Sequence, residues 1–155
     1  MTAEVNIRRA QLADSKALAI FLAEAMPEDW RMTHLPKPED CQRSLLYAGT
    51  LALIAHETRG IVGLAQGFIL PNFLGRGDDI MLDNVLVHPG FRNRGIGTAL
   101  VTEFVTKARQ IGQKPVQIWG TTDTPHEPAR RPFELAGGVR GALFREFNWQ
   151  VEDIA

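Results

Sequence analysis

Apolar residues recur along this chain with two periods, and each change of period marks an element. The segment VNIRRA (5–10) alternates as a short strand, and ADSKALAIFLAEAM (13–26) carries helical spacing, with Asp14 placed to cap its start. Three prolines in PEDWRMTHLPKPED (27–40) predict a long loop with room for one helical turn, followed by a helix in DCQRSLLYAG (40–49). Two apolar runs, TLALIAHE and IVGLAQGFIL, flank Thr58, Arg59 and Gly60 and predict a hairpin. A second loop, PNFLGRGDD (71–79), leads to the strand IMLDNVLV (80–87) and then to a helix from about 95 to 111. In that helix Leu100, Phe104, Ala108 and Ile111 share one face, while Glu103 and Lys107 are spaced to pair on the other. A strand PVQIWG (115–120), a short helix in EPARRPFELAGG (127–138) interrupted by Pro132, and a last strand GALFREFNW (141–149) complete the order. The sum is a mixed sheet with helices on its faces.

The passage from strand to helix at HPGFRNRGIG (88–97) is the most informative stretch. A helix that begins near Gly95 presents unpaired backbone N–H groups and a positive dipole end, which together attract an anion. Gly95 and Gly97 remove side chains where phosphates would approach, Arg92 and Arg94 add charge at the rim, and Thr98 adds a hydroxyl. The loop lacks the lysine of a P-loop and does not open a first strand-helix-strand unit, so neither common nucleotide motif applies. A glycine-rich turn with solvated arginines is the alternative reading of the loop on its own.

Composition narrows the partners. At 155 residues with 45% apolar and 23% charged positions, the expectation is one globular domain over residues 1–155. A formal net charge of -1 provides no basic field for nucleic acid. The single cysteine, Cys41, excludes an internal disulfide, and no cysteine and histidine cluster has metal-site spacing. Without an apolar leader or a long apolar run, the expected setting is cytoplasmic, away from membranes.

RNRGIG (92–97), after the strand end VLVHPGF, resembles the Arg/Gln-x-x-Gly-x-Gly/Ala signature of the GNAT superfamily of acetyl-CoA-dependent N-acetyltransferases. The resemblance implies a GNAT acyltransferase fold, α/β, with a mixed and mostly antiparallel sheet flanked by helices. It also implies acetyl-CoA as cofactor, with coenzyme A as product. Its pyrophosphate would be held around Arg92, Asn93, Arg94, Gly95, Ile96, Gly97 and Thr98, and its pantetheine arm by the backbone of Val85, Leu86 and Val87. Ala129 and Phe133 would border the same cofactor. The stretches GFILPNF, EPA and LAGG are similar to the small aminoglycoside 3-N-acetyltransferases, which implies a polycationic aminoglycoside as acceptor and a role in antibiotic resistance. Other amines, such as a polyamine, an amino sugar or a peptide N-terminus, remain open, as does a non-catalytic acyl-CoA-binding module. A homodimer is compatible with the resemblance.

Acetyl transfer to an amine needs a neutral nitrogen, a polarised carbonyl and a proton for the departing thiol. An alkylammonium titrates at roughly 10.4, so a base is useful at neutral pH. Asp83 is the first candidate base by resemblance; a structural carboxylate is the alternative. Its neighbour Asn84 orients without deprotonating, and strand alternation predicts that the two face opposite sides of the sheet. A backbone N–H at Val85 or Leu86 would polarise the carbonyl. The family's usual tyrosine acid is replaced here by Phe133, which cannot donate a proton.

For a polycation the candidate contacts are Glu28, Asp29 and Trp30 in the first long loop, Asp78 and Asp79 before the central strand, and Asp123, His126 and Glu127 after PVQIWG. The other reading of these carboxylates is ordinary surface acidity, and Trp30 has the alternative of folding onto the core.

Overall fold

The central constraint on the architecture is a run of apolar residues that has to be covered on both faces. A computed structural model describes residues 5–111, 117–121 and 127–141. Strand β2 (Thr50–Glu57) is buried along its first six residues without alternation, as expected of an inner strand covered on both sides. It lies between β1 (Asn6–Arg9) and β3 (Gly60–Pro71), followed by β4 (Asp78–Val87) and β5 (Gln117–Gly120), so the order in space equals the order in sequence. The first three pairings are antiparallel and the last, β4 with β5, is parallel.

Helix α1 (Ser15–Ala25) and α3 (Pro38–Leu46) cover one face, where Leu18, Phe21 and Cys41 pack on Ile54 and Leu64. Helix α4 (Ile96–Ala108) covers the other, with Leu100, Phe104 and Ala108 fully buried as the periodicity predicts. On its outer side Glu103 and Lys107 pair at 3.6 Å. A short α2 (Glu28–Thr33) joins α1 to α3, and α5 (Glu127–Leu135) lies beside the start of α4, with Pro132 next to Gly97.

Several expectations need correction. The 27–40 stretch is not mainly loop: it holds α2 and the first turn of α3, which begins at Pro38 because a proline at the first helical position loses no bond. The second loop is also shorter than predicted, since β3 and β4 continue their pairing outward to Pro71 and Asp78. Asp78 and Asp79 are therefore strand residues. Pro132 does not interrupt α5, which stays helical to its end at Leu135, with Gly137 left-handed in the turn beyond. The expected last strand, 141–149, lies outside the described residues apart from Gly141.

Asp14 stands at the N-cap position of α1, as expected, but its side chain does not cap that helix. It sits in helical conformation inside a turn at Leu12–Asp14, and its carboxylate takes two hydrogen bonds from Arg8 at 2.8 Å and one from the Gln11 N–H at 2.7 Å. The bidentate pair ties β1 to the entry of α1.

One irregularity shapes the centre of the sheet. Gln66 pairs with Asn84 while the next residue, Gly67, pairs with Leu82, so Asp83 is an extra residue in β4. A Cβ at Gly67 would run into the Met81 carbonyl and stand 2.6 Å from Phe104 Cζ. Only glycine lets α4 and the bulged strand approach so closely.

Two outcomes follow for stability. Gly67→Ala should cost about 1–3 kcal/mol by overpacking and lower the urea midpoint with activity-independent readout by circular dichroism; an unchanged midpoint would show that α4 yields freely. Hydrogen bonds from Arg8, then the Gln11 N–H, hold the Asp14 carboxyl below the usual carboxylate range. A depressed folded pKa gives stability that is present above the unfolded value, about 3.9, and lost as pH falls through the folded one. Asp14→Asn should accordingly lower the midpoint at pH 7 and flatten its decline on acidification, checked by urea titrations at pH 7 and pH 3.

Candidate functional site

Strand β4 is shared by two different environments. β5 ends at Gly120 opposite Leu82, so from Asp83 to Val87 β4 keeps only β3 as a paired neighbour among the described residues. Backbone groups on the β5 side of that stretch thus have no ladder partner within the described sheet, the condition a ligand with amide groups can exploit. Val85 and Val87 pack toward α4, whereas Leu86 packs toward α1.

Beyond Val87 the chain turns through Pro89–Phe91 and enters α4. Gly95 adopts φ 77°, a left-handed conformation, and nothing lies within 4 Å of where its Cβ would stand. Asn93 is also left-handed at φ 60°. These two residues deliver the chain into a 13-residue helix whose first N–H groups have no intrahelical acceptor, an arrangement able to hold a phosphate. Gly97 is different: its missing Cβ faces Pro132 at 3.4 Å and Val87 at 3.7 Å, so it serves the packing of α5 against the loop.

The arginines are anchored at the rim. Arg92 Nε donates to the Val87 carbonyl at 3.1 Å, closing the turn, and the Arg94 guanidinium stands 4.9 Å from the centre of the Phe91 ring. Both side chains are exposed, as is Asn93, while Ile96 is buried in the core and Thr98 is half-buried. His88 caps the turn through Nδ1, which accepts from the Gly90 N–H at 3.1 Å, and its Nε2 lies 3.4 Å from Glu24. Phe133 lies over Gly120, 3.0 Å from a Cβ built there, at the point where β4 and β5 part. For Glu127 and Ala129 the structure describes only their backbone in α5. Asp123 and His126 lie outside the described residues.

On the opposite face, under α1 and α2, a cavity of about 210 Å³ is lined by Leu22, Met26, Trp30, Leu64 and Leu86 together with the amides Gln66 and Asn84. A neighbouring cavity of about 150 Å³ runs on toward Cys41, Ser44 and Leu45 and shares Leu22, Leu64 and Gln66 with the first. Burial pushes the Cys41 thiol up, so it lines this space as a neutral group.

The bulge overturns the alternation expected for Asp83 and Asn84. Asn84 Nδ2 donates to Asp83 Oδ2 at 2.7 Å and to Gln66 Oε1 at 3.1 Å, and Gln66 Nε2 reaches Ser44 Oγ at 3.4 Å. Asp83 is exposed and Asn84 half-buried on the cavity wall. Gln66 and Ser44 were not singled out from sequence; the only signal for Gln66 was a polar residue within an apolar strand run, and nothing marked Ser44.

Of the residues considered for a polycation, Trp30 reaches the cavity wall with 47% of its surface still exposed. Glu28 and Asp29 occupy the first turn of α2, where they favour its positive end, and are exposed. Asp79 accepts from Asn72 at 3.0 Å near the outer end of the β3–β4 hairpin, and Asp78 is its strand neighbour. Five residues of strand separate Asp79 from Asn84, roughly 17 Å. These four carboxylates do not converge on the cavity.

Comparison with known proteins places these features in a family. The sequence profile of the acetyltransferase (GNAT) family matches residues 16–138. The mycothiol acetyltransferase of Kineococcus radiotolerans is 40% identical over 73 residues, 47% of this chain and 22% of that protein. Among solved structures, an aminoglycoside acetyltransferase from an uncultured soil metagenomic sample superposes with TM-score 0.78 at 24% identity, covering 96% of this chain and 99% of the other. A ribosomal-protein-alanine N-acetyltransferase from Brucella melitensis biovar Abortus 2308 does so with TM-score 0.75 at 20% identity, over 96% and 99%. These two likenesses establish a common fold and span different acceptors.

Proposed function

This chain belongs to the acetyltransferase (GNAT) family, and we propose that it transfers the acetyl group of acetyl-CoA to a primary amine of a small molecule. The observation that carries the reading is the position of β4 between the two halves of the reaction. The open, left-handed entry to α4 follows its end, and the Asn84-lined cavity lies on its other face. A thioester held along Asp83–Val87 would meet an amine coming from the cavity.

Acetyl-CoA fits the residues present. The open position at Gly95 and the first turn of α4 suit its pyrophosphate, with Arg92 and Arg94 at the rim and Asn93 shaping the entry. The β5-side backbone of Val85, Leu86 and Val87 suits the amides of its arm. When bound it supplies an activated acetyl group. An alkylammonium and acetyl-CoA give the N-acetyl amine, the free thiol and one proton: a C–N bond forms and the C–S bond breaks. Asp83, exposed and joined to Asn84, collects the proton from the amine and passes it to solvent. A backbone N–H at Val85 or Leu86 would polarise the thioester carbonyl. Phe133 covers Gly120 and has no proton to give, so the departing thiolate would take its proton from solvent.

An aminoglycoside acetylated at its 3-amino group is the finer reading raised by the sequence. It draws support from the fold shared with an aminoglycoside acetyltransferase. The fold shared with a ribosomal-protein-alanine acetyltransferase supports a peptide N-terminus in the same degree.

Thiol release from acetyl-CoA in the presence of amines tests the assignment. Arg92→Ala should raise the Kd for acetyl-CoA by about tenfold or more, since a charge-assisted bond is worth about 1.5–3 kcal/mol; calorimetry showing unchanged affinity would remove Arg92 from the phosphate site. With any amine that is turned over, Asp83→Asn should lower kcat near pH 7 by about a hundredfold. An unchanged rate would exclude Asp83 as the base.

A further inference from the structure

Hydrogen-bond direction fixes what Asn84 offers to a ligand. Asn84 turns Nδ2 toward Asp83, donating to its Oδ2 at 2.7 Å. The second proton of Nδ2 goes to Gln66 Oε1, and Gln66 in turn is held by Ser44. Asn84 Oδ1 is left as the group that receives no hydrogen bond from any described residue, on a residue that lines the cavity. It is suited to an N–H donor.

Around that acceptor the lining is uncharged. Leu22, Met26, Trp30, Leu64 and Leu86 surround the two amides, and no ionisable described residue lines the cavity next to Asn84. The adjoining cavity continues the apolar wall past Leu18 and Leu45 to Cys41. The carboxylate at its border, Asp40, is already engaged: it accepts from the Lys37 N–H at 2.9 Å and lies 3.5 Å from His34 and 3.9 Å from Arg43. A second ammonium beside Asn84 would find no carboxylate among the residues that line that cavity.

We infer that the acceptor is a primary amine on an uncharged apolar body, an alkylamine or arylalkylamine. Its N–H is accepted by Asn84 Oδ1, and its body lies against Leu22 and Leu64 toward Cys41. The inference rests on the acetyl-transfer reading and names its substrate class. The amine end then lies beside Asp83, where β4 parts from β5, and each added methylene is removed from water along the two cavities.

The test uses the full chain with butylamine, hexylamine, octylamine and gentamicin, reading thiol release from acetyl-CoA and, separately, calorimetric binding. Expected is a kcat/KM that rises about three- to fourfold per methylene and passes that of gentamicin. Cys41→Leu, which narrows the adjoining cavity, should move the preferred length toward butylamine. A kcat/KM that is flat with length, or highest for gentamicin, would overturn the proposal. Octylamine that binds but releases no thiol would sink acetyl transfer and leave the pocket assignment standing. Gentamicin turned over while octylamine neither binds nor competes would do the reverse.

Discussion

The extra residue in β4 is the constraint on which the centre of this molecule depends. Because Gln66 pairs with Asn84 and Gly67 with Leu82, Asp83 is squeezed out of register and the strand bends. The bend needs Gly67, whose α-carbon region is filled by the Met81 carbonyl and by Phe104 of α4. In exchange for a lost pairing, the Asn84 side chain comes within hydrogen-bonding distance of both Asp83 and Gln66. A regular strand would have sent the first two to opposite faces.

The same strand separates two differently covered faces of the sheet. α4 covers one face and brings a helix N-terminus beside the end of β4; α1, α2 and α3 cover the other and leave an apolar space over Leu64 and Leu86. Ending β5 at Gly120 removes a neighbour from β4 just where both meet. Phe133 closes that point from α5. That ring carries no hydroxyl, so it covers Gly120 by packing alone.

Asn84 shows how a neutral residue acquires direction from a charged neighbour. Asp83 determines which end of the amide faces it, and the oxygen is presented elsewhere. The carboxylate thus acts on the cavity wall without entering it. Ser44 and Gln66 extend the chain of bonds into α3, so the position of the amide is tied to the packing of a helix on the far side of the cavity.

Periodicity alone determined most elements of this protein. The apolar stripe of α4, the hairpin at Thr58 and Arg59, and the glycine-rich entry at Gly95 depend on local spacing and backbone preference, which neighbouring residues encode. The family signature at Arg92–Gly97 was legible for the same reason. Asp14 as a helix cap was misjudged because Arg8, six residues away, claimed its carboxylate. The acidic residues looked like one site because sequence proximity to loops says nothing of distance; Asp78 and Asp79 were drawn into a longer hairpin by cross-strand pairing. Only the tertiary structure could decide the register slip at Asp83, the partnership of Gln66 with Asn84, and the uncharged lining of the cavity. Each of these is set by contacts between segments far apart in the chain, where packing and pairing outweigh local pattern.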